Sequence, residues 1–427
     1  MRKLGLLVLV VLLGAAPGKA DGPLSDVQVQ QLRREISATF FVPDPLPALD
    51  AHTYRTFNPA PGVRAEALTY TTQLGARVPA ILYLPEPLPK TKIPAFVVVN
   101  GHAGDKYCWY SYYTGILFAH GGAAVLTYDQ AGEGERNPDH KSGTRAHDQI
   151  QGDAVVARHL AGLMITDVMQ AVSYLSQRPE VDARRIVVGG YSLGSFVVAI
   201  TGAVDPRIRA CVLVGGGDLD GPGGCWDQSR KLMCQALPYQ SLNFLGDRPA
   251  VIYALHAARG PTLVYNGLGD TMVAIPNHTG IFFKDLQDRV ARLHGGTNDI
   301  LDVGFAPANC GHRPYWLTRP VVSWLEQQID FFPNWTGAGI GVMPETKISQ
   351  WSDHYGIFID KDFTAELREG GMLALGNDVP GYSRDGLNVF TPETWARQKT
   401  NFILETWLKA VRRDTNNPSM SSLQISP

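Results

Sequence analysis

The stretch RRIVVGGYSLGS, residues 184–195, reads as a strand, a sharp turn and the start of a helix. Ile186, Val187 and Val188 form the short β-branched run of a fully buried strand. Gly190-Tyr191-Ser192-Leu193-Gly194 follows as a G-x-S-x-G, and Phe196, Val197, Ala199 and Ile200 open a helical apolar pattern. A serine on such an elbow has strained backbone angles, and neighbours without a Cβ leave it room. The elbow lifts the serine oxygen out of the sheet and aims the helix N-terminus at whatever that oxygen attacks. A pentapeptide alone arises by chance, so its meaning depends on what the rest of the chain brings to the same edge.

Outward from the elbow, strands and helices alternate from about residue 93 to 330. Upstream, IPAFVVVNGHAG (93–104) is a buried strand opening into a glycine-rich loop, 109–120 suits a helix, and AAVLTYDQ (123–130) is another buried strand. A long helix from about 153 to 177 carries Val156, Leu160, Leu163, Ala171 and Leu175 at a spacing near 3.6, with Asp167 the one polar residue in the stripe. Downstream, IRACVLVGG (208–216) and PTLVYNGLGD (261–270) are strands, 281–293 is a helix, and a last strand ends near Phe305. Pro314 takes the N1 position of a final helix with Leu317, Val321, Leu325 and Ile329 as its buried face. This alternation predicts an α/β fold: a doubly wound, mostly parallel sheet that binds ligands beyond the carboxyl ends of its strands. ALTYTTQLGARVPAILYLP (67–85) adds an antiparallel pair turning at Gly75.

The division expected is a signal peptide (1–20), an N-terminal lead-in (21–62), the main domain (63–332) and a C-terminal extension packed on it (333–427). In the lead-in, Val27, Leu32 and Ile36 line a short helix before Pro43, Pro45, Pro47, Pro59 and Pro61 force an extended course. In the extension, Thr391, Pro392 and Glu393 start a helix with Trp395, Phe402, Ile403 and Ala410 buried and Trp407 at the margin.

With 44% hydrophobic and 18% charged residues over 427 positions, the composition is that of a soluble globular chain. Its formal charge of -2 offers no basic surface for nucleic acid. Arg2 and Lys3, the apolar run 4–13 and the small residues after it read as a secretory signal, with Ala16 and Ala20 as cleavage positions. The run is too short to span a bilayer and no other segment reads as a span. The mature chain is therefore expected in the periplasm or outside the cell, with no stable membrane insertion. Of Cys108, Cys211, Cys225, Cys234 and Cys310, the pair flanking one loop, Cys225 and Cys234, is the expected disulfide; Cys211 reads as core. No spacing along the chain resembles a zinc site, so no metal is expected.

A serine hydroxyl needs a histidine base within hydrogen-bond reach and a carboxylate to hold that histidine in the right tautomer. On a doubly wound sheet each partner should sit just past a strand's carboxyl end. Ser192 does, Asp270 does in GLGD, and His312 does in CGH, in the order this architecture uses. Asp302 and Asp299 are fallback acids, with Asp302 at a strand start and so at the wrong edge; His278 and His294 read as solvated. An oxyanion needs two N–H donors. Leu193, directly after the nucleophile, is one, and His102 or Ala103 of the loop Gly101-His102-Ala103-Gly104 is the other. Tyr107, Trp109 and Tyr110, just after that loop, are candidate substrate-stacking rings. GEGER (132–136) lacks the lysine and spacing of phosphate loops and reads as a structural turn with Arg136 in an ion pair.

Over about residues 65–330 the chain resembles α/β-hydrolases of the group containing dienelactone hydrolases, acetyl xylan esterases and prolyl-oligopeptidase-like enzymes. The likeness rests on VVVNGHAG (97–104), YDQAGEGER (128–136), AVSYLSQRPEVDARRIVVGGYSLGS (171–195), YNGLGD (265–270) and NCGHRPYW (309–316). The GYSLG elbow departs from the G-C-S-R-x-G of glucuronoyl esterases. The resemblance implies Ser192 as nucleophile, Asp270 as acid and His312 as base of a secreted carboxylic ester hydrolase. Its expected partner is a small-molecule or carbohydrate ester, acetylated sugars foremost, with no cofactor. A peptidase or amidase using the same residues is the alternative, separable by an ester-against-anilide panel. A non-catalytic binder on the same fold is a third reading.

Overall fold

The computed structural model of the chain describes residues 22–257, 260–278, 280–296, 300–306, 310–357, 371–375 and 379–415. The signal-peptide reading of 1–20 and the fallback acid Asp299 lie outside the described residues. Nine strands form one sheet: β1 (His52–Ala60), β2 (Val63–Thr71), β3 (Arg77–Pro85), β4 (Ile93–Val99), β5 (Ala124–Tyr128), β6 (Val181–Tyr191), β7 (Ala210–Val214), β8 (Thr262–Gly267) and β9 (Leu301–Ala306). Their order is β1-β2-β3-β5-β4-β6-β7-β8-β9. β1 to β3 run antiparallel to their neighbours, and all pairings from β5 to β9 are parallel. β1 falls inside the expected lead-in yet is the edge strand of this same sheet.

Successive residues of a strand point to opposite faces, and here each face has its own core. Val97, Val99, Leu126, Ile186 and Val188 face one hydrophobic cluster, which α1 (Asp26–Thr39), α3 (Ala154–Gln177), α4 (Leu193–Val204), α6 (Arg248–Ala257) and α7 (Gly280–His294) fill. Phe96, Val98, Val125 and Val187 face the other, filled by α2 (Trp109–His120), α8 (Arg319–Ile329) and the C-terminal extension as far as Phe402, while Leu404, Trp407 and Val411 join the first cluster. α5 (Leu237–Gln240) is a single turn in the segment after β7. α3 begins where Asp153 accepts the backbone N–H groups of Val155 and Val156 at 2.9 and 3.1 Å. It is long and apolar enough to cross a membrane, contrary to the expectation that no further segment is, but most of its surface is packed inside the protein. Its one polar stripe residue, Asp167, meets Arg136 at 2.5 Å with both side chains buried. Arg136 thereby ties the turn after β5 to α3.

Several local expectations change. The buried face of α1 is Val29, Arg33 and Ile36, while Val27 is exposed; the Arg33 guanidinium is satisfied by the Ala203 and Leu255 carbonyls. α8 starts at Arg319 with Pro320 in its first turn, not at Pro314, because Tyr315 has φ +44°, which no right-handed helix contains. The extension carries α9 (Gly337–Val342), α10 (Ile348–Tyr355), α11 (Pro392–Gln398) and α12 (Leu404–Thr415). Thr391 caps α11 as expected, accepting the Thr394 N–H. A 3-10 turn at Lys399–Asn401 then ends it, so the buried stripe is reset to Leu404, Trp407 and Val411, and Trp407 is core rather than margin. Cys225 and Cys234 do not pair with each other, because the Cys234 sulfur faces His102 and Asp148.

Candidate active site

β4, β6, β8 and β9 end at one edge, and a loop leaves each end. Ser192 follows β6 directly, with φ +54° and ψ −117°. That backbone strain costs of the order of 1–3 kcal/mol and persists only where the surroundings enforce it. Here the enforcement is close packing. A Cβ at Gly190 would lie 2.2 Å from the Gly194 carbonyl oxygen, and one at Gly194 would lie 2.1 Å from that of Val99. Both glycines of the motif are thus required by approach of backbone to backbone.

The Ser192 hydroxyl lies 2.8 Å from His312 Nε2, and His312 Nδ1–H donates to Asp270 Oδ2 at 2.8 Å. Asp270 Oδ1 accepts the Met272 and Val273 N–H groups at 2.9 and 3.3 Å, which fixes the carboxylate plane. Asp270 is 1% exposed, whereas Ser192 and His312 keep 9% and 7%, so water reaches the reacting end and not the anchoring end. The Tyr191 and Tyr315 rings back the imidazole and its loop: Tyr191 lies 5.4 Å from His312 and 5.0 Å from Tyr315.

The 101–104 loop lies against the nucleophile, since a Cβ at Gly101 would be 3.0 Å from that of Ser192. Its Gly104 N–H is taken by the Gly101 carbonyl, and Ala103 has φ +64°. His102 and Ala103 follow Gly101 on this loop, and Leu193 lies in the first turn of α4, where helical N–H groups have no intrahelical partner. Burial and the adjacent His147 hold the His102 imidazole down to about 3, so the ring is neutral at physiological pH.

The aromatic run behaves otherwise. Trp109 and Tyr110 are buried in α2, where Trp109 packs on Tyr315 and Trp351 and Tyr110 stacks on Tyr315. Tyr107 is held by His140, Asn388, Lys106 and Arg384. The stacking faces of all three are taken by the protein itself, so these rings brace the site instead of lining it. Of the fallback acids, Asp302 accepts Trp324 Nε1–H at 2.6 Å, away from His312. His278 is not solvated: it sits 2.7 Å from buried Asp218, and although burial opposes it, that carboxylate raises its imidazole above the usual range. Sequence spacing missed a further cluster, in which His102, His147, Asp148 and Cys234 converge beside the donor loop.

Residues 48–214 match the family model described as acetyl xylan esterase (AXE1). Among solved structures, a methylesterase (BT1017) superposes with a TM-score of 0.51 at 18% identity, covering 87% of this chain and 75% of that one. The chain has the α/β-hydrolase fold. Acetyl xylan esterase 1 from Thermoanaerobacterium sp. JW/SL YS485 superposes with a TM-score of 0.45 at 16% identity, over 69% of this chain and 95% of that one. The acetyl xylan esterase of Paenibacillus sp. R4 gives a TM-score of 0.47 at 16% identity, over 72% and 96%. No curated protein matches this chain in sequence.

Proposed function

We propose that the protein is a serine carboxylic ester hydrolase that removes acyl groups, acetyl foremost, from carbohydrate esters. Ser192 Oγ attacks the ester carbonyl as His312 Nε2 takes its proton. Asp270 keeps the proton on Nδ1 and stabilises the imidazolium that forms. The Leu193 N–H and the His102 or Ala103 N–H bind the developing oxyanion, each contributing about 3 kcal/mol to barrier reduction. His312 returns its proton to the leaving alcohol, and water, activated by the same histidine, then cleaves the acyl-serine. The observation that carries this reading is the hydrogen-bonded line Asp270–His312–Ser192 at a strained elbow. The family match over 48–214, which spans that elbow, directs the substrate class. The basic, apolar and small-residue succession of 1–20 supports export to where polysaccharides are met.

The test is acetate release from acetylated xylan and aryl acetates, with methyl esters and aminoacyl anilides in the same panel. The wild type should release acetate, and Ser192→Ala should lose about 10⁴-fold or more in kcat. Equal release by both proteins, or faster turnover of the anilides, would refute the reading.

A further inference from the structure

Four side chains that ester hydrolysis does not use meet at one point from three separate segments. His102 comes from the donor loop after β4. His147 and Asp148 come from the 3-10 turn Ala146–Gln149, and Cys234 from the π-helical turn Leu232–Ala236. One ligand atom from each lies within 4.8 Å of all the others. Asp148 Oδ1 is the hub, 3.2 Å from His147 Nε2, 3.4 Å from His102 Nε2 and 3.2 Å from Cys234 Sγ; His102 Nε2 and Cys234 Sγ are 3.3 Å apart.

The hydrogen bonding of this group does not close. His147 is fully buried, and its Nδ1–H donates to the Ala131 carbonyl at 3.3 Å. Its Nε2 has no hydrogen-bond partner, although Asp148 Oδ1 lies 3.2 Å away. A buried ring nitrogen and a carboxylate oxygen facing each other call for a positive centre between them, a proton or a metal ion. The other carboxylate oxygen, Oδ2, is held by Lys231 Nζ at 2.5 Å, which turns Oδ1 inward as a single-atom ligand. Ala131 and Lys231 occupy the supporting places that orient metal-bound histidines and carboxylates.

We propose that His102 Nε2, His147 Nε2, Asp148 Oδ1 and Cys234 Sγ form a closed four-coordinate site for a zinc-class divalent ion, which pins the 101–104 loop to the 146–149 and 232–236 turns. Zinc bonds of about 2.0–2.3 Å set tetrahedral ligand edges of about 3.3–3.8 Å, so the three edges at Asp148 Oδ1 and the His102–Cys234 edge need to open by only a few tenths of an ångström, and the two remaining edges from His147 lie within 4.8 Å. Two imidazoles and a thiolate select zinc over magnesium or calcium, which prefer all-oxygen cages. On binding, the Cys234 thiol gives its proton to solvent, and the ion, thiolate, carboxylate and two neutral imidazoles sum to zero charge. With four protein ligands the ion is structural, and the site stands apart from the ester-hydrolase reading.

The test uses untagged full-length protein under a phosphine reductant, stripped with chelator and reloaded with Zn²⁺ or Co²⁺ alone. Wild type should retain about one ion per chain after desalting. Its Co²⁺ form should show the thiolate-to-cobalt charge-transfer band and the intense visible bands of tetrahedral cobalt. Zn²⁺ should raise its melting temperature. Cys234→Ala should lose the charge-transfer band, and His147→Ala should weaken binding at least ~10-fold. Far-ultraviolet circular dichroism of the stripped variants identifies any that fail to fold, and Cys234→Ser then replaces that variant. Sub-stoichiometric loading of folded wild type, or equal loading and equal spectra in wild type and the cysteine variant, would overturn the site and leave a metal-free hydrogen-bonded cluster.

Discussion

Asp270 shows how much one proton's position decides at this site. Its Oδ2 takes the Nδ1–H of His312 while its Oδ1 is locked by two backbone N–H groups. Asp270→Asn keeps the shape but offers an amide N–H that cannot accept from Nδ1, so the imidazole adopts the tautomer that cannot act as base toward Ser192. The expected result is a fall of about 10⁴-fold in kcat with a small change in KM, measured on an aryl acetate alongside the rate of fluorophosphonate labelling. An unchanged kcat would move the acid's role to another carboxylate. Ser192 and Asp270 were legible because each follows a strand with a clear apolar run, and His312 because it stands a few residues beyond the last strand of the alternation. The convergence of His102 with Cys234 was not, since those residues are 132 positions apart and meet only when the segment after β7 folds back over the β4 loop. Nor was the fate of Trp109 and Tyr110, because a run of aromatic residues looks the same in sequence whether its rings face a ligand or Tyr315 and Trp351.

At the scale of elements, the elbow is fixed by contact distances. Gly194→Ala would place a methyl 2.1 Å from the Val99 carbonyl oxygen, a backbone atom held in the middle of the sheet. The clash cannot be relieved by a rotamer change, so the variant should lose about 3 kcal/mol of stability and most of its turnover. Gly337→Ala in α9, where nothing lies within 4 Å of the Cβ position, should be neutral or slightly stabilising. Urea denaturation of the two variants reads this contrast directly. The sheet, α2 and α3 could be read from sequence because their patterns are long and are closed by visible stops such as Pro179. The break between α11 and α12 carries neither proline nor glycine; it is imposed where Phe402, Leu404 and Trp407 are drawn into the interior. The start of α8 was misplaced for a related reason, since two prolines stand in one window and only the buried left-handed Tyr315 distinguishes them.

The extension and the sheet are joined by buried polar groups, and these give the whole molecule its response to mutation and to pH. Glu135, in the turn after β5, is paired with Lys106 at 2.8 Å and accepts the Val389 and Phe390 N–H groups at 3.1 and 3.0 Å. Glu135→Ala strands those donors, so hydrogen exchange at Val389 and Phe390 should rise well above wild type while β6 and α4 stay protected. His256 governs acid response in a different way. It is buried between Thr262 and Ala199, and burial pushes its imidazole down to about 4. In the unfolded chain the ring titrates near 6.5, so between these values the unfolded state binds a proton that the folded state refuses. Stability from this group is complete above about pH 6.5 and is lost as pH falls towards 4, a total of about 3 kcal/mol. The measurement is the urea midpoint from pH 7.5 down to 4.5 for wild type and His256→Gln. The variant is expected to be less stable at pH 7.5 but to lose stability more slowly on acidification, because it has no ring to protonate. Parallel curves for the two proteins would place the acid sensitivity elsewhere in the molecule.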